Sequence, residues 1–221
     1  MSLQGRRLLI TSGPTRGPID RVRFISNKSS GRLGSMIAER ALEAGAHVTF
    51  VYGKGSLTPA GHPGLTVVEI ETVADLLREV ERALTTTVHD AIIHLMAVLD
   101  YQPADYVPEK TPSGQDEWVI RLRPTPKVIA RMKDWAPDAL LVGFKLEDKA
   151  SDEELIRVSR SLAQRNRADF VVANNLAEVE QGRHRALFVG PDGSLLAEVT
   201  GKEAIAAALL GLLSDRLAEG K

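Results

Sequence analysis

The feature that most constrains this chain is an alternation. Apolar runs at Leu8–Thr11, His47–Tyr52, Thr66–Ile70, Ala91–Leu95, Ala139–Phe144 and Phe170–Ala173 read as strands. Between and after them, stretches of helical period fall at Arg32–Ala44, Val73–Thr85, Pro126–Trp135, Asp152–Asn166 and Glu203–Leu217. Strands recurring across helices are joined by crossovers, so they run parallel, and a parallel sheet must be covered on both faces. The expected class is α/β. Two helix starts are signalled by capping residues: Thr72 with Asp75 three residues on, and Ser151 with Glu154. In "RALFVGPDGSLLAEVT", Pro-Asp-Gly separates two apolar runs, which predicts a C-terminal antiparallel hairpin at the sheet edge.

The chain of 221 residues is sized for a single domain, 1–221, with a Rossmann-like, mainly parallel twisted sheet flanked by helices. One segment breaks the pattern. Asp100–Gln115, "DYQPADYVPEKTPSGQ", has three prolines, no apolar period and Lys110 in its middle. A long segment of this kind in a compact domain reads as a flexible lid, 100–115. A net charge of −1 gives no electrostatic reason for a nucleic-acid or membrane partner. The absence of cysteine excludes disulfides, thiolate catalysis and sulfur-bound zinc. No apolar run approaches the ~18 residues of a membrane span. Met1–Arg7 is polar and runs straight into a strand, unlike a signal peptide. The expected location is the cytoplasm.

In open α/β sheets, ligands bind beyond the carboxyl ends of the strands. There the first loop is unusual. A dinucleotide site places a short GxGxxG turn between strand and helix, but here a long polar loop runs from Ser12 to Ser30. The helix starting near Gly31 offers free N–H groups and a positive dipole end to an anion. Gly31 and Gly34 permit close approach of a ligand, and Ser29 and Ser30 add hydroxyls. Two readings stand at this level: an anion site, or a capping sequence whose glycines serve helix packing. A nicotinamide-dependent short-chain dehydrogenase is a competing class, since Tyr106 and Lys110 have YxxxK spacing. Pro108 lies between them, however, and no acidic residue ends the second strand for a ribose.

The stretch "TSGPTRGPIDRVRFISNKSSGRLG" closely resembles the hallmark of phosphopantothenate–cysteine ligases. "HLMAVLDY", "TPKVIARMKDWAP", "LVGFKLE" and "RNRADFVVANNL" match further blocks of that family in order and spacing. The wording is most similar to the stand-alone bacterial form. The resemblance implies a ligase of coenzyme A biosynthesis that joins 4′-phosphopantothenate to cysteine through an acyl-nucleotide. It further implies CTP rather than ATP as co-substrate, Mg2+ arriving with the nucleotide rather than in a protein metal site, and a homodimer with shared active sites.

The resemblance also implies roles. Asn27 holds the acyl-nucleotide, and Arg23 reaches from a neighbouring subunit to the substrate phosphate. Ala97 and Asp100 lie beside nucleotide and phosphopantothenate; Asp100 either accepts a hydrogen bond or bears on magnesium through water. Lys110 is the lid lysine. Gly13, Ser29, Gly31, Gly34, Phe144, Arg165 and Asn174 complete the nucleotide site. The chain departs from the pattern at Pro14, Met96, Leu99, Thr125, Lys127, Ser161 and Asn175. Those at Pro14, Ser161 and Asn175 leave open a non-catalytic nucleotide-binding protein. His94, ending an apolar strand, reads as a packed side chain rather than a base.

Overall fold

The computed structural model describes residues 2–114 and 116–220. The first half carries β1 (Arg7–Ser12), β2 (Arg16–Pro18), β3 (Phe24–Ser26), α1 (Arg32–Glu43), β4 (His47–Gly53), β5 (Leu65–Ile70), α2 (Val73–Thr86), β6 (Ala91–His94) and β7 (Tyr101–Pro103). The second carries β8 (Leu122–Pro124), α3 (Ile129–Trp135), β9 (Leu140–Glu147), α4 (Asp152–Asn166), β10 (Phe170–Asn175), α5 (Leu176–Glu180), β11 (Arg185–Val189), β12 (Leu195–Thr200) and α6 (Lys202–Ala218).

Every expected strand and helix is present. Eight strands form one sheet in the order β12-β11-β10-β9-β6-β1-β4-β5. The six from β10 to β5 are parallel, and β11 and β12 add the expected antiparallel hairpin. Alternation along β1 explains the two layers. Leu8 and Ile10 face the cluster containing Ile37 of α1 and Leu209 of α6. Leu9 points the other way, into the cluster of Leu76 from α2 and Met132 from α3. Both faces of β1 are thus dry, which is why its sequence is continuously apolar rather than alternating. Thr72 and Asp75 form a reciprocal capping box at α2. Ser151 accepts the Glu154 N–H at α4 without the return bond. Arg185 clamps the antiparallel edge, pairing with Asp152 and Glu198 at 2.6 and 2.7 Å.

Three features were absent from the sequence reading. The Ser12–Ser30 loop contains the hairpin β2–β3. The segment expected to be structureless begins in β7, which pairs with β8 from Tyr101↔Pro124 to Pro103↔Leu122. Its last residue, Gln115, lies outside the described residues. The third helix starts at Ile129 rather than Pro126. Pro126 disfavours helical backbone at Thr125, and Thr125 is tied by its N–H to the Asp100 carbonyl at 2.9 Å and by its hydroxyl to the Leu99 carbonyl. Among the described residues, no helix is long and apolar enough to cross a membrane.

Truncation should separate core from edge. Leu9, fully buried, loses about 2–5 kcal/mol on replacement by Ala. Val67, on edge strand β5 and 50% exposed, shifts stability by only about 0.5 kcal/mol when treated alike. Urea midpoints of the two variants test this, and equal losses would contradict the layer assignment.

Candidate active site

The strand order reverses at β1. From there the chain proceeds outward to β4 and β5, and later from β6 to β9 and β10 on the other side. The connections from β1 and β6 therefore lead to opposite sides, the arrangement that in open α/β sheets places a crevice at the carboxyl edge. Register sets its floor: Thr11 pairs with His94, and His94 with Gly143. Beyond that level the two loops are stitched together. Ala97 N–H donates to the Gly13 carbonyl at 2.8 Å, and Thr15 N–H donates to the Ala97 carbonyl at 3.3 Å. The Leu99 N–H reaches the Thr15 hydroxyl at 2.9 Å.

Asn27 completes this seam. Its side-chain nitrogen donates to the carbonyls of Ala97 and Val98 at 3.2 and 3.1 Å. Asn27 and Ala97, far apart in sequence, thus meet directly. Both amide hydrogens are committed, so Oδ1 is the free atom. Donation to a ligand oxygen, as the resemblance implies, requires exchanging one of these carbonyls.

The glycines serve close packing. A Cβ on Gly34 would lie 2.2 Å from Ser12 Oγ, and one on Gly13 2.0 Å from Ser56 Oγ. Gly31 precedes α1 with φ 74° and has no side chain to cap the helix, while the Ser30 hydroxyl accepts the Arg32 N–H at 3.4 Å. The first turn also lacks acidic residues. The N–H groups of Leu33 and Gly34, which have no partner among the described residues, and the positive end of the helix are therefore open to an anion, beside exposed Ser29. The packing reading and the anion reading are compatible here.

Phe144 pairs with Val172 one residue beyond the His94–Gly143 level, half-buried beside the crevice. Asn174 lies at the same edge of β10, and its side chain donates to the Arg185 carbonyl at 2.6 Å. Asp100, at the exit of the second loop, is paired with Lys127. Lys110 is exposed and has no ion pair among the described residues. Arg165 is not brought to this group. It sits in the last turn of α4, whose first residue, Asp152, is at the carboxyl edge. Some 13 residues of helix carry Arg165 about 20 Å towards the opposite edge. That position does not fit the nucleotide-site role that the resemblance implies for it. The YxxxK pair finds no helix either, since Tyr106 and Lys110 lie outside all helices.

Two residues that the sequence reading passed over belong to this region. Ser56 Oγ is buried without a partner, against Gly13 and Gly31. Asp20, with its side chain fully buried, pairs with Arg23 at 2.8 Å. Burial works against its charge, but N–H groups of Val22, Thr111 and Arg23 and the Arg23 guanidinium outweigh it and hold the carboxyl at about 2. An Asp followed by residues that donate back to it is an Asx-turn signal, which "IDRVR" carried. Below the crevice, His94 bonds Thr11 Oγ1 through Nδ1 at 2.8 Å. Burial pushes it down to about 4. It is the packed, neutral side chain expected.

Residues 3–216 match the family model described as the DNA/pantothenate metabolism flavoprotein C-terminal domain. The chain belongs to this family. It is 39% identical over 191 residues to the coenzyme A biosynthesis bifunctional protein CoaBC of Thermococcus kodakarensis, covering 86% of this chain and 46% of that protein. It therefore spans about half the length of the curated relatives it matches. Among solved structures, the DNA/pantothenate metabolism flavoprotein from Streptococcus pneumoniae superposes with TM-score 0.87 at 33% identity, covering 96% of this chain and all of that one. The C-terminal domain of a CoaBC protein gives TM-score 0.77 at 30% identity, covering 98% of this chain and 97% of the other.

The buried histidine sets a pH dependence. Unfolded His94 takes up a proton below its ordinary 6.5, whereas the folded side chain does so only near 4. Stability therefore falls as pH drops from 6.5 towards 4, by up to roughly 3 kcal/mol. His94→Gln should remove most of that slope. Equal slopes in urea unfolding of wild type and variant between pH 4.5 and 7.5 would exclude His94 as its source.

Proposed function

We propose that this chain catalyses amide formation between 4′-phosphopantothenate and cysteine, using a nucleoside triphosphate. The carboxylate oxygen attacks the α-phosphorus, and pyrophosphate leaves. The cysteine amine then attacks the acyl carbon, giving up a proton, and the nucleoside monophosphate departs with the former carboxylate oxygen. The observation that carries this reading is the seam at the switch point. Asn27, Ala97, Gly13 and the uncapped start of α1, which the ligase resemblance singles out, form one crevice there. The family match and the CoaBC relatives give the reading its reaction class.

Such chemistry asks the protein for cations and N–H donors that hold anions in line, more than for a nucleophile. We assign the triphosphate to the α1 N-terminus with Gly13, Ser29, Gly31 and Gly34, and the base to Phe144 and Asn174. Asn27, Ala97 and Asp100 take the acyl end, with Lys110 closing over the phosphates and Arg23 on the substrate phosphate. CTP is the assigned nucleotide, on the likeness to the stand-alone bacterial form. Among the described residues no three His, Asp or Glu side chains are grouped to hold a metal. Asp100 is engaged by Lys127. Magnesium is a hard cation that binds through substrate phosphates and waters, so its assigned place is on the nucleotide.

The assigned assembly is a homodimer in the cytoplasm. The two small hairpins pack on each other and expose Val22, Phe24, Tyr106, Trp118, Val119 and Leu122. An apolar surface of this kind favours a partner, here a second copy.

Pyrophosphate release should require both 4′-phosphopantothenate and Mg2+, stop with EDTA, and yield amide only when cysteine is present. No release with CTP or ATP from folded protein would sink the ligase reading in favour of nucleotide binding alone; ATP outperforming CTP would overturn only the nucleotide. Asn27→Asp sets a carboxylate against two carbonyls and should slow product formation about 10- to 100-fold. Lys110→Gln should slow pyrophosphate release in a single turnover about 10-fold with the melting temperature unchanged. Wild-type rates in either variant would remove that residue from the site.

A further inference from the structure

We infer that Asp20 is a positioning residue for this reaction, a buried acceptor that fixes Arg23 and the Lys110 segment in one register. The inference rests on the roles proposed above for Arg23 and Lys110.

The two oxygens of Asp20 do different work. Oδ1 accepts the N–H groups of Val22 and Arg23 at 2.8 and 2.7 Å, which folds the tip of the β2–β3 hairpin. Oδ2 accepts Arg23 Nη1 at 2.8 Å and the Thr111 N–H at 3.1 Å. Arg23 Nη1 also donates to the Thr111 carbonyl at 3.2 Å, closing a ring between the two hairpins. Nearby, the Val107 N–H donates to the Ile19 carbonyl at 3.0 Å. The Trp118 ring lies under the guanidinium, 4.8 Å from Cζ. One face and one nitrogen of Arg23 are thereby held. Nη2 and Nε have no hydrogen-bond partner among the described residues. These two form the edge that a phosphate takes up in a bidentate manner. Lys110 directly precedes Thr111, so its backbone is anchored by the same carboxylate.

A turn alone does not require this charge. Asn serves an Asx turn equally well and avoids burying a carboxylate. All four groups around Asp20 are donors, so both oxygens must accept. In Asp20→Asn the amide oxygen can remain on Val22 and Arg23 N–H, leaving its NH2 facing the guanidinium and the Thr111 N–H. The turn survives, while the arm to Arg23 and Thr111 is broken. The variant therefore isolates the positioning role.

Steady-state kinetics and hydrogen exchange test it. Asp20→Asn should raise the KM for 4′-phosphopantothenate at least about 10-fold, lower kcat severalfold through Lys110 and leave the KM for CTP unchanged. Exchange at the Thr111 amide should accelerate, while Val22 and Arg23 stay protected. Arg23→Gln should raise the same KM, and the double variant should raise it no further than Arg23→Gln alone, because on that substrate the two act as one unit. If Arg23→Gln raises the KM and Asp20→Asn does not, the inference falls and the functional reading stands. If Arg23→Gln leaves the KM unchanged, the role of Arg23 falls and the inference with it. Should Asp20→Asn fail to fold, Arg23→Lys replaces it. An ammonium held on Asp20 keeps its charge and spare donors but has no planar edge to present to a phosphate, so a similar rise is expected, and an unchanged KM overturns the inference.

Discussion

A parallel sheet whose connections diverge on either side of one strand must leave an opening at its carboxyl edge, and everything distinctive in this chain follows from how that opening is held. Past Thr11 and His94 the ladder between β1 and β6 ends, yet the backbone groups beyond it are partly buried and need partners. The chain supplies them by stitching loop to loop through Gly13, Thr15, Asn27, Ala97 and Leu99. Around the same loops, Ser56 leaves no room for a side chain at Gly13, and Ser12 leaves none at Gly34. The same closeness aims the start of α1 across the crevice. Packing and the proposed anion site thus share one arrangement, in which a glycine placed for the first is available to the second.

The electrostatics are local rather than global. A chain of net charge −1 has no overall field to attract a polyanion, so the triphosphate of the proposed reaction would have to be held by a few oriented groups. Oriented N–H groups need no counter-charge, which suits the α1 terminus. Cations on long side chains need holding, and the structure supplies this unequally. Arg23 is fixed by a carboxylate, a carbonyl and an indole face, whereas exposed Lys110 is held only through its backbone neighbour. A fixed guanidinium suits a substrate group that must be located; a mobile ammonium suits a lid that closes after binding.

The sheet was legible in the sequence because burial on both faces writes itself as continuous apolar runs, and Leu8–Ile10 or Ile92–Ile93 admit few other uses. Helix starts were legible where a side chain makes the cap, as at Thr72. The two hairpins were not. Their strands are three residues long and pair through Gly17, Pro18 and Pro103, residues that mark loops in isolation. Their register is set by Asp20 and by contacts between segments about ninety residues apart, which no local period records. At the site, the residue types came from the family hallmark, but their partners did not. That Asn27 spends its amide on Ala97 and Val98 could be seen only once β1 and β6 were neighbours. Arg165 illustrates the opposite error: adjacency to a matching block says nothing about which end of a helix faces the crevice.

The departures from the hallmark bear on whether the site is intact, and their placement argues that it is. Asn175 stands where the pattern has aspartate, but its side chain does work that a carboxylate could only half perform. It accepts the N–H groups of Lys149 and Ala177 and donates to the Ala150 carbonyl at 2.8 Å, tying the loop before α4 to the end of β10. Thr125 and Lys127 both engage the second loop, one at Leu99 and the other at Asp100. Met96 and Leu99 are buried against the α2–α3 layer, so their bulk points away from the crevice. Pro14 lacks an N–H, yet the seam at that point runs through the Gly13 carbonyl and the Thr15 N–H on either side of it. Ser161 lies towards the far end of α4 with Arg165, where a missing cation leaves the crevice unchanged. Asn175, Thr125, Lys127, Met96 and Leu99 have thus found partners or packing, which is what a family member under a different local solution would show.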